Sequence, residues 1–307
     1  MPTEDIVKNT KKPIYRRKRV ILPLSFLLLL VVCDLAIVST THGGSCRLEV
    51  VTLDNDPVST GSNLITLLTI NMAHGRGDGR NQILQSGRAI GKNVDAIGEL
   101  ITREGAQVVA LQEADAPSWW SGSFSHVDRV GALGGMRSAV QGANVSGCGL
   151  HYGTAIVSQL NVSAAHQITF ARNFPTFSKG LAVATCEWPG DQSYKFDVVS
   201  LHLDFASSKA RSNQLSVLED LVSSTDRPII IMGDFNTDMS RPLLPKFISR
   251  TGLQAWKADD QSIVTFPTLG SRIDWILASS EFQMVEQSVL EDVLSDHRIV
   301  KAVIGRR

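Results

Sequence analysis

An apolar run, Ile229-Ile230-Ile231-Met232, stops abruptly at Gly233-Asp234-Phe235-Asn236. Such a run reads as a buried strand, and its exit carries a carboxylate and a carboxamide two residues apart. Side chains alternate along a strand, so Asp234 and Asn236 are expected to point the same way where it ends. Two aligned oxygen-bearing groups at the end of a buried strand suit a hard cation and a charged substrate. The same kind of ending recurs. Asn71, Gln112-Glu113, His202 with Asp204, and Asp274 each terminate or open an apolar run, and Ser295-Asp296-His297 precedes the last one.

The periodicity predicts strands at 64–72, 108–111, 153–158, 181–188, 195–203, 228–232, 273–278, 282–290 and 299–304. Helices are predicted at 82–104, with Ile83, Ile90, Val94, Ile97 and Ile101 on one face, at 207–222, and over a short stretch at 242–250. Residues 114–150 are rich in Gly and Ser and show little periodicity. Pro189-Gly190-Asp191 reads as the turn of a hairpin. Many strands with fewer helices imply stacked sheets covered by helices.

The 307 residues suffice for one large domain, and Lys+Arg equals Asp+Glu at 30 each, so net charge gives no sign of a nucleic-acid partner and does not exclude one. The N-terminus stands apart. Residues 1–19 carry Lys11-Lys12 and Arg16-Arg17-Lys18-Arg19, and 20–38 form an apolar stretch whose one charge is Asp34. Cations before an apolar run predict a cytoplasmic N-terminus and an exported remainder. A membrane anchor and a cleaved signal with secretion both fit that stretch. Residues 39–62, rich in Ser, Thr, Gly and Asp, read as a flexible tether to a domain at 63–307. Cys46, Cys148 and Cys186 lie beyond the apolar stretch and match no metal-binding spacing. Asn144-Val145-Ser146 and Asn161-Val162-Ser163 fit glycosylation acceptors.

Each polar strand end has an ordinary explanation alone, such as a turn, a cap or a satisfied core histidine. Six together point to one shared site, because several buried carboxylates repel one another without a cation. Oxygen-rich donors favour Mg²⁺ or Mn²⁺ over Zn²⁺.

Seven segments in order resemble the endonuclease/exonuclease/phosphatase (DNase I-like) superfamily. They are Thr69-Ile70-Asn71, Leu111-Gln112-Glu113, Tyr152 to Ser158, Ser200-Leu201-His202-Leu203-Asp204, Gly233-Asp234-Phe235-Asn236, Arg272-Ile273-Asp274-Trp275-Ile276 and Ser295-Asp296-His297. The resemblance implies a four-layered α/β sandwich, with two mixed sheets flanked by helices, and a metal-dependent phosphoesterase. It assigns Glu113 to the metal, with Asn71 and Asp296 beside the metal or its water. Asp234 and Asn236 would orient the nucleophile and hold the phosphate. His297, paired with Asp274, would activate water or stabilise charge, and His202 would serve a phosphate oxygen or the leaving group.

Two departures stand out. The nuclease branches often pair the residue equivalent to His202 with an acid near the 152–158 strand, which here ends in Ser158-Gln159. Lys179 stands where many members carry an arginine, so it meets a phosphate as a point charge. The loop His74-Gly75-Arg76-Gly77-Asp78-Gly79-Arg80 has glycines that allow close approach of an anion, and Arg76 is a second candidate for substrate phosphate. Trp119-Trp120 fits stacking on a base, contact with lipid or simple packing. The expected substrate is a phosphate ester of lipid, small-molecule or nucleic-acid origin, and no protein partner is evident. A membrane-anchored binding protein that kept the fold without catalysis is the competing expectation.

Overall fold

The computed structural model describes residues 44–55 and 63–307. Among them fourteen strands build two seven-stranded mixed sheets. The first sheet contains β1 (Gly44–Arg47), β7 (Val162–Thr169), β8 (Gly180–Trp188), β9 (Asp191–His202), β10 (Ile229–Asp234), β12 (Asp274–Ala278) and β11 (Gln254–Ala255), side by side in that order. The second runs β13 (Phe282–Val289), β14 (Val300–Arg306), β3 (Leu64–Asn71), β4 (Val108–Asp115), β6 (Leu150–Ser158), β5 (Ser138–Gly147) and β2 (Val51–Thr52).

Strand alternation sorts the apolar residues into layers. Ile230 and Met232 join Val198, Ile276, Ile65 and Leu67 in the core between the sheets. Ile229 and Ile231 face the other way, onto Leu215, Leu218 and Phe247 of the helices α3 (Ser208–Ser224) and α4 (Leu243–Thr251). Leu68 and Ile70 likewise face Ile90, Val94 and Val127 of α1 (Gly87–Arg103) and α2 (His126–Leu133). Each central strand is therefore buried on both faces, which is why it reads as an unbroken apolar run. The result is the expected four-layered α/β sandwich.

Several local expectations are corrected. The helix predicted from Gln82 begins at Gly87, because Ser86 adopts an extended backbone and caps it by accepting from the Ala89 amide. Gln82–Leu84 form a separate 3-10 turn, and Ile83 lies exposed. The Gly- and Ser-rich stretch 114–150 contains α2 and β5. Strand β7 carried no recognisable signal, since its apolar residues are small or interrupted. Asn144 is buried within β5 and so is no glycan acceptor, whereas Asn161 is exposed. Cys46 and Cys148 are exposed, and Cys186 is buried.

The tether expected at 39–62 is not one over residues 44–55. Gly44–Arg47 pair with β7 at the edge of one sheet, and Val51–Thr52 pair with β5 at the edge of the other. Leu48 and Val50 pack on the inter-sheet core, and Leu53 on the α1–α2 layer. The bias towards Ser, Thr and Gly masked a strand former whose backbone satisfies two open sheet edges. No helix among the described residues is long and apolar enough to cross a membrane, and the stretch 20–38 lies outside them. Removing residues up to 55 is expected to lower stability by about 2–3 kcal/mol, at about 1 kcal/mol for each of three partly buried apolar side chains. Urea unfolding checks this, and an unchanged midpoint would contradict the pairing.

Candidate active site

Strand register sets the site. His202, Asp234 and Asp274 are direct neighbours across β9, β10 and β12, and Asn71 neighbours Gln112 across β3 and β4. The two sheets meet where these rows end. Asn71 Nδ2 donates to Asp234 Oδ2 at 3.1 Å, crossing from one sheet to the other. Below it Gln112 Nε2 donates to Ser200 Oγ, and Ser200 Oγ to the Leu111 carbonyl, so Gln112 ties the sheets together.

Asp234 is the hub. Its Oδ1 accepts from the Asn236 amide at 2.9 Å. Its Oδ2 lies 3.5 Å from His202 Nε2 and 3.8 Å from His297 Nε2. Asn236 reaches the same cavity, though not by strand alternation: β10 ends at Asp234, and the turn closed by that carboxylate puts Asn236 at φ +49°. Its Nδ2 donates to the Leu203 carbonyl. Gly233 makes the approach feasible, since a Cβ there would stand 2.0 Å from the Leu201 carbonyl oxygen.

His297 is gripped from behind. Its Nδ1 contacts both Asp274 oxygens at 3.0 and 3.1 Å, and its ring packs on Phe266. Burial opposes its protonation, but Asp274 and Asp234 outweigh that and raise its pKa to about 10. Burial, with the Asp274 charge, pushes the Asp234 carboxyl up to about 7. Burial and then Lys179 hold His202 well below the usual imidazole range, so it is neutral.

Glu113 faces the cavity from a bulge in β4, at φ +49°. Burial alone would raise its pKa. The combined attraction of His74, Lys179, His202 and Arg76 holds it well below the usual carboxylate range instead. Lys179 Nζ lies 3.7 Å from Oε1, so this lysine is buried against Glu113 rather than free at the surface. Arg76, expected to grip substrate, stands between two acids: Nη1 is 3.7 Å from Glu113 and Nη2 is 2.5 Å from Asp296. The loop that carries it is pinned by Arg76 Nε on the Gly79 carbonyl and by the bridge of Gly77 with Ser295.

Sequence reasoning assigned no part to His74 and Asp115. His74 Nδ1 meets Asp115 Oδ1 at 2.7 Å, its Nε2 lies 3.5 Å from Glu113, and Trp120 and Tyr152 enclose the ring. Asp115 also accepts from Trp120 Nε1 and Ser121 Oγ. Trp120 therefore packs inside this support, and Trp119 is exposed. The only signal was the position of His74 directly after the first strand.

Asn71, Glu113, His202, Asp234, Asn236, Asp296 and His297 line one cavity of about 630 Å³. Asp274 stands behind His297. Glu113, Asp296 and Asn71 offer oxygen donors, a chemistry that fits a hard divalent ion, with Arg76 supplying the local positive charge between the two carboxylates. Asp234, Asp274 and His297 also lie within 4.8 Å of one another, yet both Asp274 oxygens are committed to His297.

Fold and site together define a hydrolase of the phosphoesterase and nuclease type. The chain belongs to the Endonuclease/Exonuclease/phosphatase family, whose pattern matches residues 68–297. Among solved structures it is similar to a functionally unknown conserved protein from Enterococcus faecalis V583, at 17% identity and TM-score 0.63, covering 79% of this chain and 100% of that one. It is also similar to a mannosyl-6-phosphatase from Bacteroides thetaiotaomicron VPI-5482 (16% identity, TM-score 0.59, covering 78% and 99%). Beta toxin from Staphylococcus aureus is similar as well (17%, TM-score 0.53, 78% and 99%). No match was found among curated protein sequences.

Replacing Arg76 by Gln removes a cation from between Glu113 and Asp296. Mn²⁺ binding followed by calorimetry is expected to tighten about tenfold, because like charges a few ångströms apart repel strongly in a partly buried site.

Proposed function

We propose that this protein is a metal-dependent phosphoesterase that hydrolyses a phosphodiester or phosphomonoester by attack of water, with the domain held outside the cytoplasm by an anchor at 20–38. One observation carries the hydrolase reading. Residues from the ends of both sheets converge on Asp234, with Asn71, His202 and His297 within 3.1 to 3.8 Å of one carboxylate oxygen. A scaffold without catalysis gains nothing from so many buried titratable groups.

Each residue then has a part. Mg²⁺ or Mn²⁺ held by Glu113, with Asn71 and Asp296 beside it, supplies neutralisation of charge on the phosphoryl oxygens. Asp234 has a carboxyl near neutrality and accepts the proton of the attacking water. Asn71 and the Asn236 amide fix its oxygens in place. His297 is charged at neutral pH, so its part is not to take that proton but to donate to the anionic transition state. Asp274 keeps it charged and oriented. Neutral His202 donates to a phosphoryl oxygen or assists the departing oxygen. Lys179 and Arg76, both on Glu113, are candidates for substrate phosphate once the acids take up a cation.

The test is hydrolysis of bis(p-nitrophenyl) phosphate with Mn²⁺, with Mg²⁺ and with EDTA. Metal-stimulated turnover abolished by EDTA is expected. Absence of turnover on this diester, on phospholipids, on inositol phosphates and on plasmid DNA would favour the anchored binding protein. His297→Ala should lower kcat by ~10²–10⁴-fold with an unchanged circular dichroism spectrum. The working form has Asp234 deprotonated and His297 protonated. Activity therefore rises as pH passes through about 7 and falls as pH approaches about 10. A profile flat across that range would sink these two roles.

A further inference from the structure

The first described residue, Gly44, lies on the catalytic side. Gly44 pairs with Thr169, Thr169 with Gly180, Gly180 with His202, His202 with Asp234, and Asp234 with Asp274. These residues form one continuous row across the first sheet. Adjacent strands lie ~4.8 Å apart, so Gly44 is three steps, or ~14 Å, from His202 along the rim. The apolar stretch 20–38 ends six residues before Gly44. Six residues reach ~20 Å at full extension. A bilayer crossed by that stretch therefore lies close to the rim that carries the catalytic residues.

The same rim carries the apolar side chains that the fold leaves uncovered. The five most exposed large apolar residues among the described residues are Leu84 (80%), Phe174 (77%), Leu269 (73%), Phe205 (63%) and Trp119 (59%). All five lie on connections that flank the site. Phe174 lies between Thr169 and Gly180, and Phe205 three residues past His202. Leu269 lies on the 3-10 turn Pro267–Leu269 that precedes Asp274, Leu84 on the loop after Asn71, and Trp119 beyond Asp115. Phe205 and Leu269 line the mouth of the cavity itself. The Phe174 loop is latched to the Phe205 loop, with Asn173 and Thr176 both donating to Asp204. Arg80 is exposed on the Leu84 connection, Arg88 and Lys209 in the first turns of α1 and α3, and Arg241 on the connection after β10. Apolar and aromatic side chains interleaved with cations suit the headgroup region of a membrane.

We propose that the catalytic face docks against the bilayer in which the chain itself is anchored, so that the cavity opens onto the headgroup layer and takes the phosphate ester of a membrane lipid. This rests on the anchored phosphoesterase reading above. A site turned to the membrane lies within the reach that the residues from 38 to 44 allow. It also gives the five uncovered side chains an apolar surface to enter.

The experiment uses the full chain reconstituted in vesicles of phosphatidylcholine and phosphatidylglycerol that include lipid with a nitroxide on its headgroup. Flotation reports anchoring, and nitroxide quenching of tryptophan fluorescence reports which face meets the lipid. Trp119 is a native reporter, and Phe174→Trp adds a second. If the face is docked, Trp119→Phe loses part of the quenched emission and Phe174→Trp gains quenched emission. If the chain floats with the vesicles and neither substitution changes the quenched emission, the face is turned away and the proposal is overturned while the anchor stands. If the chain does not float, the anchor fails and the docking proposal fails with it. Metal-dependent hydrolysis of the soluble diester still decides the hydrolase reading separately.

Discussion

A single buried carboxylate organises this protein. Asp234 ends an interior strand of one sheet, β10, is almost wholly removed from solvent, and has one oxygen bonded to a residue of the opposite sheet. A buried anion is costly unless every lone pair finds a donor. Its partners come from four places: the turn at Asn236 and the end of β3 donate hydrogen bonds, and the histidines at the end of β9 and in the loop before β14 stand 3.5 and 3.8 Å away. The carboxylate can be satisfied only if both sheets and both loops are assembled, so the fold and the site are specified together. The same arrangement explains the electrostatics. Asp274 and Asp234 share His297 between them and raise the imidazole, while burial, with the Asp274 charge, pushes the Asp234 carboxyl up to about 7 against the pull of His297.

The second centre is built on strain and charge. Glu113 and Asn236 sit in the left-handed backbone region, as do Ala73 and His74, so four of the seven non-glycine residues of that kind among the described residues belong to the site. Such conformations persist only where surrounding structure holds them, and they aim side chains where a regular strand would not. The His74–Asp115 pair and the aromatic rings of Trp120 and Tyr152 provide that support behind Glu113. Glu113 and Asp296 on one side and Asp234 and Asp274 on the other are thereby kept as two separate groups. One is balanced by Arg76 and Lys179, the other by His297.

Much of this was legible in the sequence. Long apolar runs gave the central strands, because those strands are buried on both faces and tolerate little else. The polar residues at their ends stood out for the same reason: nothing in a core calls for Asp234 or His202 after such a run. Edge strands were harder. Every residue of the edge strand β1 is exposed and its neighbour β7 is only partly buried, so Cys46, Ser163 and Gln167 interrupt the pattern. The start of α1 was misplaced because Ile83 continues the helical spacing by chance while Ser86 breaks the backbone. Asn236 was expected beside Asp234 by strand alternation, and it arrives there by a turn.

The amino-acid order by itself determined the elements, the layers and the cast of chemical groups, since periodicity and residue type are local properties. Only the tertiary structure decided how those groups are paired. Arg76 faces two carboxylates rather than open solvent, Lys179 is buried, His74 stands behind Glu113, and Asp274 and Asp234 raise the pKa of His297. Each of these depends on distances between segments far apart in the chain, and the sign and size of an electrostatic interaction follow from distance and burial. The position of Gly44 has the same origin. That Gly44 shares a row with His202 is a fact of strand register, set by backbone pairing that starts between Gly44 and Thr169, more than a hundred positions apart, and passes through Gly180.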